Sequence, residues 1–128
     1  MSRILIVEDE ELLADTLRDV LSSDGHEVRT VHNGRDALKA LERERPDLLL
    51  LDLMLPLVDG LEVLQAVERL SPGTAVVVET SCTPDVLEGR HVHAFLRKPF
   101  SLDQLLDTLK AVLARKPSNE GSSEAAGP

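Results

Sequence analysis

The sequence predicts a doubly wound α/β fold, one parallel sheet with helices on both faces. Three observations predict it. Short aliphatic runs alternate with segments of helical apolar spacing from Arg3 to Arg115, and strict alternation implies parallel strands joined by right-handed crossovers. The run Leu48 to Leu51 is apolar at every position, as a strand covered on both faces must be. Several of these runs stop abruptly at polar residues: Arg3 to Val7 at Glu8-Asp9-Glu10, Leu48 to Leu51 at Asp52, Ala75 to Val78 at Glu79-Thr80-Ser81, and Val92 to Arg97 at Lys98-Pro99. In open parallel sheets the carboxyl rim of the strands is where ligands bind, so one fold gathers all these groups at one edge.

Each element has its own signal. After the first strand, Leu12, Leu13, Leu17, Val20 and Leu21 recur at helical spacing until Asp24-Gly25 stops the helix. Glu27 to Val31 is a partly polar strand, suited to a sheet edge. Asn33-Gly34 turns into a short helix carrying Ala37, Leu38 and Leu41, closed before Pro46. The Asp47–Asp52 strand follows, then Asp59-Gly60 and a helix with Leu61, Leu64, Val67 and Leu70. Ser71-Pro72-Gly73 breaks that helix ahead of the Thr74–Glu79 strand. Between Thr83 and Arg90, Pro84 and Gly89 leave room for barely one turn of helix. The fifth strand is Val92 to Arg97. Ser101-Leu102-Asp103-Gln104 forms a capping box for a last helix that shows Leu102, Leu105, Leu106, Leu109, Val112 and Leu113. From Lys116 to Pro128 the composition is that of a disordered tail or linker, which leaves residues 1–115 as the single folded domain. Five strands suit the flavodoxin-like order 2-1-3-4-5, in which the first and third strands are neighbours at the switch point.

Composition narrows the function. A formal charge of −9 offers no basic face for direct nucleic-acid binding. No apolar run reaches the length of a membrane span, and the N-terminus enters a strand at once, which argues against a signal peptide. The single Cys82 excludes an internal disulfide and fits a reducing compartment; a cytoplasmic location is expected.

The predicted order places Glu8, Asp9 and Asp52 across one crevice. Three carboxylates so close repel one another or recruit a cation. Hard oxygen ligands suit Mg²⁺, which binds through one or two carboxylates with waters and phosphate. A carboxylate beside such a metal is a competent nucleophile toward phosphorus, and the transferred group calls for a lysine and a hydroxyl around it. Lys98 and Thr80, at the ends of the two following strands, have that chemistry.

At this point the chain resembles the receiver domains of two-component response regulators, over roughly residues 3 to 114. The resemblance rests on Ile4-Leu5-Ile6-Val7-Glu8-Asp9-Glu10, on Asp52 followed by Pro56 and Asp59-Gly60, on Thr80 after an aliphatic strand, and on Lys98-Pro99-Phe100. It implies that Asp52 is the phosphoacceptor and that Glu8 and Asp9 are the acidic pair that holds Mg²⁺ with Asp52 and the backbone carbonyl of Met54. It further implies Thr80 as the switch hydroxyl, Lys98 as the phosphate partner and Phe95 as the aromatic that changes rotamer. A sensor histidine kinase or phosphotransfer protein is the implied donor, with an unknown downstream protein as output.

The chain departs from that pattern in two places. Residues 81 to 97 are fewer than the family has between threonine and lysine, and the loss falls where a fourth helix is expected. Glu79 replaces an apolar residue. Glu79 and Arg97 each precede the functional residue of their strand, so a partly exposed Glu79–Arg97 pair is expected on a thinly covered face. A dimer built on a full fourth helix would be hard to form, which leaves a monomer or an atypical dimer.

Other readings compete. A pseudo-receiver that binds partners without phosphate is the main alternative, and a small phosphatase with an aspartyl-phosphate intermediate is a third. His91 and His93 alternate as ligands on one strand face do, but no third ligand accompanies them. Glu8-Asp9 alone would serve equally as an acid cluster at a helix N-terminus.

Overall fold

The computed structural model describes residues 2–115. The strands are β1 (Arg3–Val7), β2 (Glu27–Val31), β3 (Leu48–Leu51), β4 (Ala75–Thr80) and β5 (Ala94–Arg97), and the helices are α1 (Glu11–Ser23), α2 (Gly34–Glu44), α3 (Gly60–Leu70) and α4 (Leu102–Arg115). All strand pairings are parallel, in the order β2-β1-β3-β4-β5. That is the expected doubly wound topology. The expected tail, 116–128, lies outside the described residues. Among the described residues no helix is long and apolar enough to cross a membrane.

Two apolar layers hold the sheet. Leu5, Val7, Leu49, Leu51, Val76 and Val78 pack with Ala37, Leu41, Val63, Leu64 and Val67 of α2 and α3. Ile4, Ile6, Leu48, Leu50, Ala75, Val77 and Leu96 pack with Leu17, Leu21, Leu105, Leu109 and Val112 of α1 and α4. Strand residues alternate between the layers with the period of a pleated chain, and β3 is buried along its whole length because both layers need it.

Local chemistry sets the boundaries. The Asn33 side chain caps α2 by accepting from the Asp36 N–H at 2.8 Å, Asp59 caps α3 through the Leu61 N–H at 2.7 Å, and Ser101 caps α4 through the Gln104 N–H at 3.0 Å. Each satisfies an amide that a helix start leaves open. Gly34 and Gly60 are demanded by close approach. A Cβ at Gly34 would lie 1.9 Å from the Val58 carbonyl oxygen, and one at Gly60 would lie 2.4 Å from Leu53 Cα. Both contacts clamp the loop that follows Asp52.

Between β4 and β5 the chain makes only a single 3₁₀ turn, Pro84–Leu87, before an irregular stretch. This agrees with the shortened crossover expected there. Leu87 is nonetheless buried, and Val86 and Val92 pack on the α2/α3 layer beside it. The expected Glu79–Arg97 pair does not form. The register sets Thr80 beside Arg97 and Glu79 beside Leu96, so Arg97 and Glu79 lie on opposite faces. Arg97 is exposed, whereas Glu79 has no exposed surface.

Candidate functional site at the carboxyl rim

The parallel register builds the site. Ile6 pairs with Leu50 and Val7 with Leu51, and Leu50 pairs with Val77 and Leu51 with Val78. The ladder continues past the strand ends, for the Glu8 N–H donates to the Val31 carbonyl at 3.1 Å and the Asp52 N–H to the Val7 carbonyl at 3.0 Å. Glu8, Asp52 and Glu79 therefore stand level on three adjacent strands. Each continues the series facing α1 and α4: Ile4, Ile6, Glu8; Leu48, Leu50, Asp52; Ala75, Val77, Glu79. Lys98 follows Leu96 in the same series. The α1/α4 layer is apolar in its body and ionic at its rim.

Lys98 Nζ sits among the three acids. It donates to Glu8 Oε1 at 2.9 Å and to Asp52 Oδ2 at 3.1 Å, and lies 3.5 Å from Glu79 Oε1. The other oxygen of each hydrogen-bonded acid takes a backbone amide: Glu8 Oε2 accepts from the Glu10 N–H at 3.0 Å, and Asp52 Oδ1 from the Met54 N–H at 3.0 Å. One oxygen from each of Glu8, Asp52 and Glu79 falls within a sphere of mutual distances under 4.8 Å.

Burial and charge pull these groups in different directions. Burial pushes Asp52 up, an effect only partly offset by the Met54 amide and Lys98. Burial pushes Glu8 up as well, but hydrogen bonds from Glu79, the Glu10 amide and Lys98 outweigh it and leave Glu8 below the usual range. Glu79 is driven up to about 10, first by burial and then by the neighbouring Glu8. Burial opposes the charge on Lys98, yet Glu79, Glu8 and Asp52 hold it above its ordinary value. Neither oxygen of Glu79 meets a donor with hydrogen-bonding geometry; Glu8 beside it offers acceptors, and the Lys98 ammonium stands off at 3.5 Å. A proton held by Glu79 and shared with Glu8 resolves that, in keeping with the raised value.

The structure therefore brings together Glu8, Asp52 and Lys98 as the sequence predicts. Asp9 is exposed and lies outside the converging carboxylates. Met54 joins through its amide, and its side chain is exposed. Thr80 is fully buried, but its hydroxyl has no hydrogen-bond partner, and alternation aligns it with Val76 and Val78 on the far layer. Phe95 is half-buried against that same layer. His93 Nδ1 accepts the Val76 N–H at 3.0 Å, a role in the sheet edge rather than in a metal site.

Glu79 is the residue the sequence reading misplaced. Its place before Thr80, like that of Arg97 before Lys98, suggested a face shared with Arg97, whereas the register sets Thr80 level with Arg97 and Glu79 level with Asp52. Counting Ala75, Val77, Glu79 against Leu48, Leu50, Asp52 would have found it, had the strand offset been known.

The order of the sheet defines a doubly wound α/β protein, with an acid–lysine cluster at its switch point. More narrowly, residues 4–110 match the family model of the response regulator receiver domain, and the chain belongs to that family. The response regulator MprA of Mycolicibacterium vanbaalenii is 34% identical over 128 residues, covering 97% of this chain and 55% of that protein; the chain thus spans about half the length of this curated relative. The receiver domain of a putative LuxO repressor protein from Vibrio parahaemolyticus superposes with a TM-score of 0.85 at 28% identity, covering 99% of this chain and 98% of that one. The response regulator TrrA from Thermotoga maritima, solved in complex with Mg²⁺-BeF, gives a TM-score of 0.80 at 29% identity, covering 88% of this chain and 99% of that one.

Proposed function

We propose that this receiver accepts a phosphoryl group on Asp52 from a histidine kinase or phosphotransfer protein, in a Mg²⁺-dependent reaction, and thereby changes its binding to a downstream protein. One observation carries the reading: the Asp52 carboxylate, buried at the end of β3, is held by Lys98 at 3.1 Å and by the Met54 amide at 3.0 Å. Both contacts orient the acid, and Lys98 stands ready to meet charge that develops on a transferred group.

In the proposed step an Asp52 oxygen attacks the phosphorus of a phosphohistidine. The new O–P bond forms as the P–N bond breaks, and the imidazole leaves with its electron pair and takes up a proton. Lys98 transfers one of its hydrogen bonds from Asp52 to a phosphoryl oxygen. The donor set fits Mg²⁺, since Glu8 and Asp52 present hard oxygens from a shared, buried cluster. Asp9 and the Met54 carbonyl are the further ligands proposed. Bound there, Mg²⁺ would neutralise charge on the phosphoryl oxygens. Its presence in the TrrA complex supports the assignment. Thr80 and Phe95 are the proposed relay, one at the end of β4 and the other within β5.

Incubation with acetyl phosphate and Mg²⁺ followed by intact-mass measurement tests the reading. The expected result is a gain of one phosphoryl group, absent from Asp52→Asn. Equal labelling of the two proteins would overturn it.

A further inference from the structure

Nothing in the proposed reaction uses Glu79, although it is as fully buried as Glu8. It has no exposed surface, it stands level with Asp52, and both of its oxygens lack hydrogen-bond donors. A buried acid of that kind is costly to keep. It caps no helix and binds no turn. The one cation it approaches among the described residues is Lys98, whose Nζ lies 3.5 Å from Glu79 Oε1.

Lys98 is also the one cation, among the described residues, that pairs with Glu8 or Asp52. A phosphoryl group brings roughly −1.5 to −2 charges, and in this cluster Lys98 alone can meet it from the side chains. With three acids already converging on the ammonium, the incoming group competes for a donor that has an extra, fixed neighbour.

We propose that Glu79 is a positioning residue that holds Lys98 against the acid cluster and so slows phosphoryl acceptance by Asp52. The inference rests on the phosphoacceptor reading of Asp52. It assigns to this chain a built-in brake: an apolar residue at this point would leave Lys98 beside two acids, and here it stands beside three. Glu79 acts through Lys98, so its effect vanishes when Lys98 is absent.

The test is a mutant cycle on the full chain, with acetyl phosphate and Mg²⁺ as the probes and the rate of mass gain as one readout. Glu79→Leu is expected to label about tenfold faster than the wild type. In the Lys98→Ala background, the same substitution is expected to leave the slower rate unchanged, the signature of coupling through one partner. Thermal melts establish that each variant is folded. Glu79→Gln, which preserves the shape, serves if Glu79→Leu is not, with a smaller acceleration expected. As a second readout, the Lys98 ammonium nitrogen signal of the metal-free protein is expected to move on Glu79→Leu.

A wild type that labels beside a Glu79→Leu variant that is no faster overturns this proposal alone. So does an acceleration that persists undiminished without Lys98. A folded wild type that gains no phosphate at all overturns the phosphoacceptor reading and the brake together.

Discussion

Asp52 and Lys98 are 46 residues apart in sequence, and their side chains meet at 3.1 Å. The contact joins the end of β3 to the end of β5 across β4, so it depends on the order of the strands and not on local sequence. Its geometry predicts a division of labour. Asp52→Asn should remove phosphate gain completely while the melting temperature stays near or above that of the wild type, because a buried charge is replaced by an amide of equal shape. Lys98→Ala should slow labelling and also destabilise the domain by about 2–4 kcal/mol, since it leaves acids buried without their cation. Paired intact-mass and urea-unfolding measurements check both.

Mg²⁺ should stabilise the native state, because a cation placed among converging carboxylates relieves their repulsion. At a concentration about a hundred times its dissociation constant the gain should be roughly 2.7 kcal/mol. Calorimetric melts with and without the ion measure it, and Asp52→Asn should reduce the gain. A melting temperature indifferent to millimolar Mg²⁺ in the wild type would contradict the proposed metal site.

Glu79 should make stability fall with rising pH. Its folded-state pKa, about 10, lies well above the value of 4.5 for a free side chain. A raised carboxyl binds its proton more tightly when folded, so its contribution is intact below the unfolded value and is lost progressively as pH climbs toward the folded one. Glu79→Gln removes this loss while keeping a donor toward Glu8. In the presence of a chelator, the variant should match the wild type near pH 4 and exceed it by an increasing margin through pH 9, on the order of a few kcal/mol. Parallel curves for the two proteins across that range would contradict the assignment.

Gly60→Ala should be costly for a domain of this size. The added carbon would lie 2.4 Å from Leu53 Cα and 2.7 Å from the Leu53 carbonyl oxygen, and backbone does not yield as a flexible side chain does. A loss of about 1–3 kcal/mol is expected, with slower labelling of Asp52, whose adjoining loop must shift. Gly73→Ala is the control, with nothing within 4 Å and an ordinary backbone conformation; denaturant midpoints should separate the two.

Much of this protein was legible from its sequence alone. The alternation of aliphatic runs with helical spacing determined the doubly wound fold, because each pattern can bury its apolar residues in only one kind of element. The cap at Ser101 was readable for the same local reason, as were the helix starts after Asn33 and Asp59. So were the acids and the lysine at the rim, since charged residues ending fully apolar strands have few other uses. The single turn at Pro84–Leu87 followed from the spacing of Pro84 and Gly89. What the tertiary structure alone decided is which polar residues face one another. Register between parallel strands is fixed by the packing of two helical layers on the sheet, not by any strand's own residues, and an offset of one residue moves a side chain to the opposite face. That offset turned Glu79 from an expected partner of Arg97 into a buried neighbour of Glu8, Asp52 and Lys98. The same cause set Thr80 and Phe95 on the α2/α3 side and left Asp9 outside the converging carboxylates.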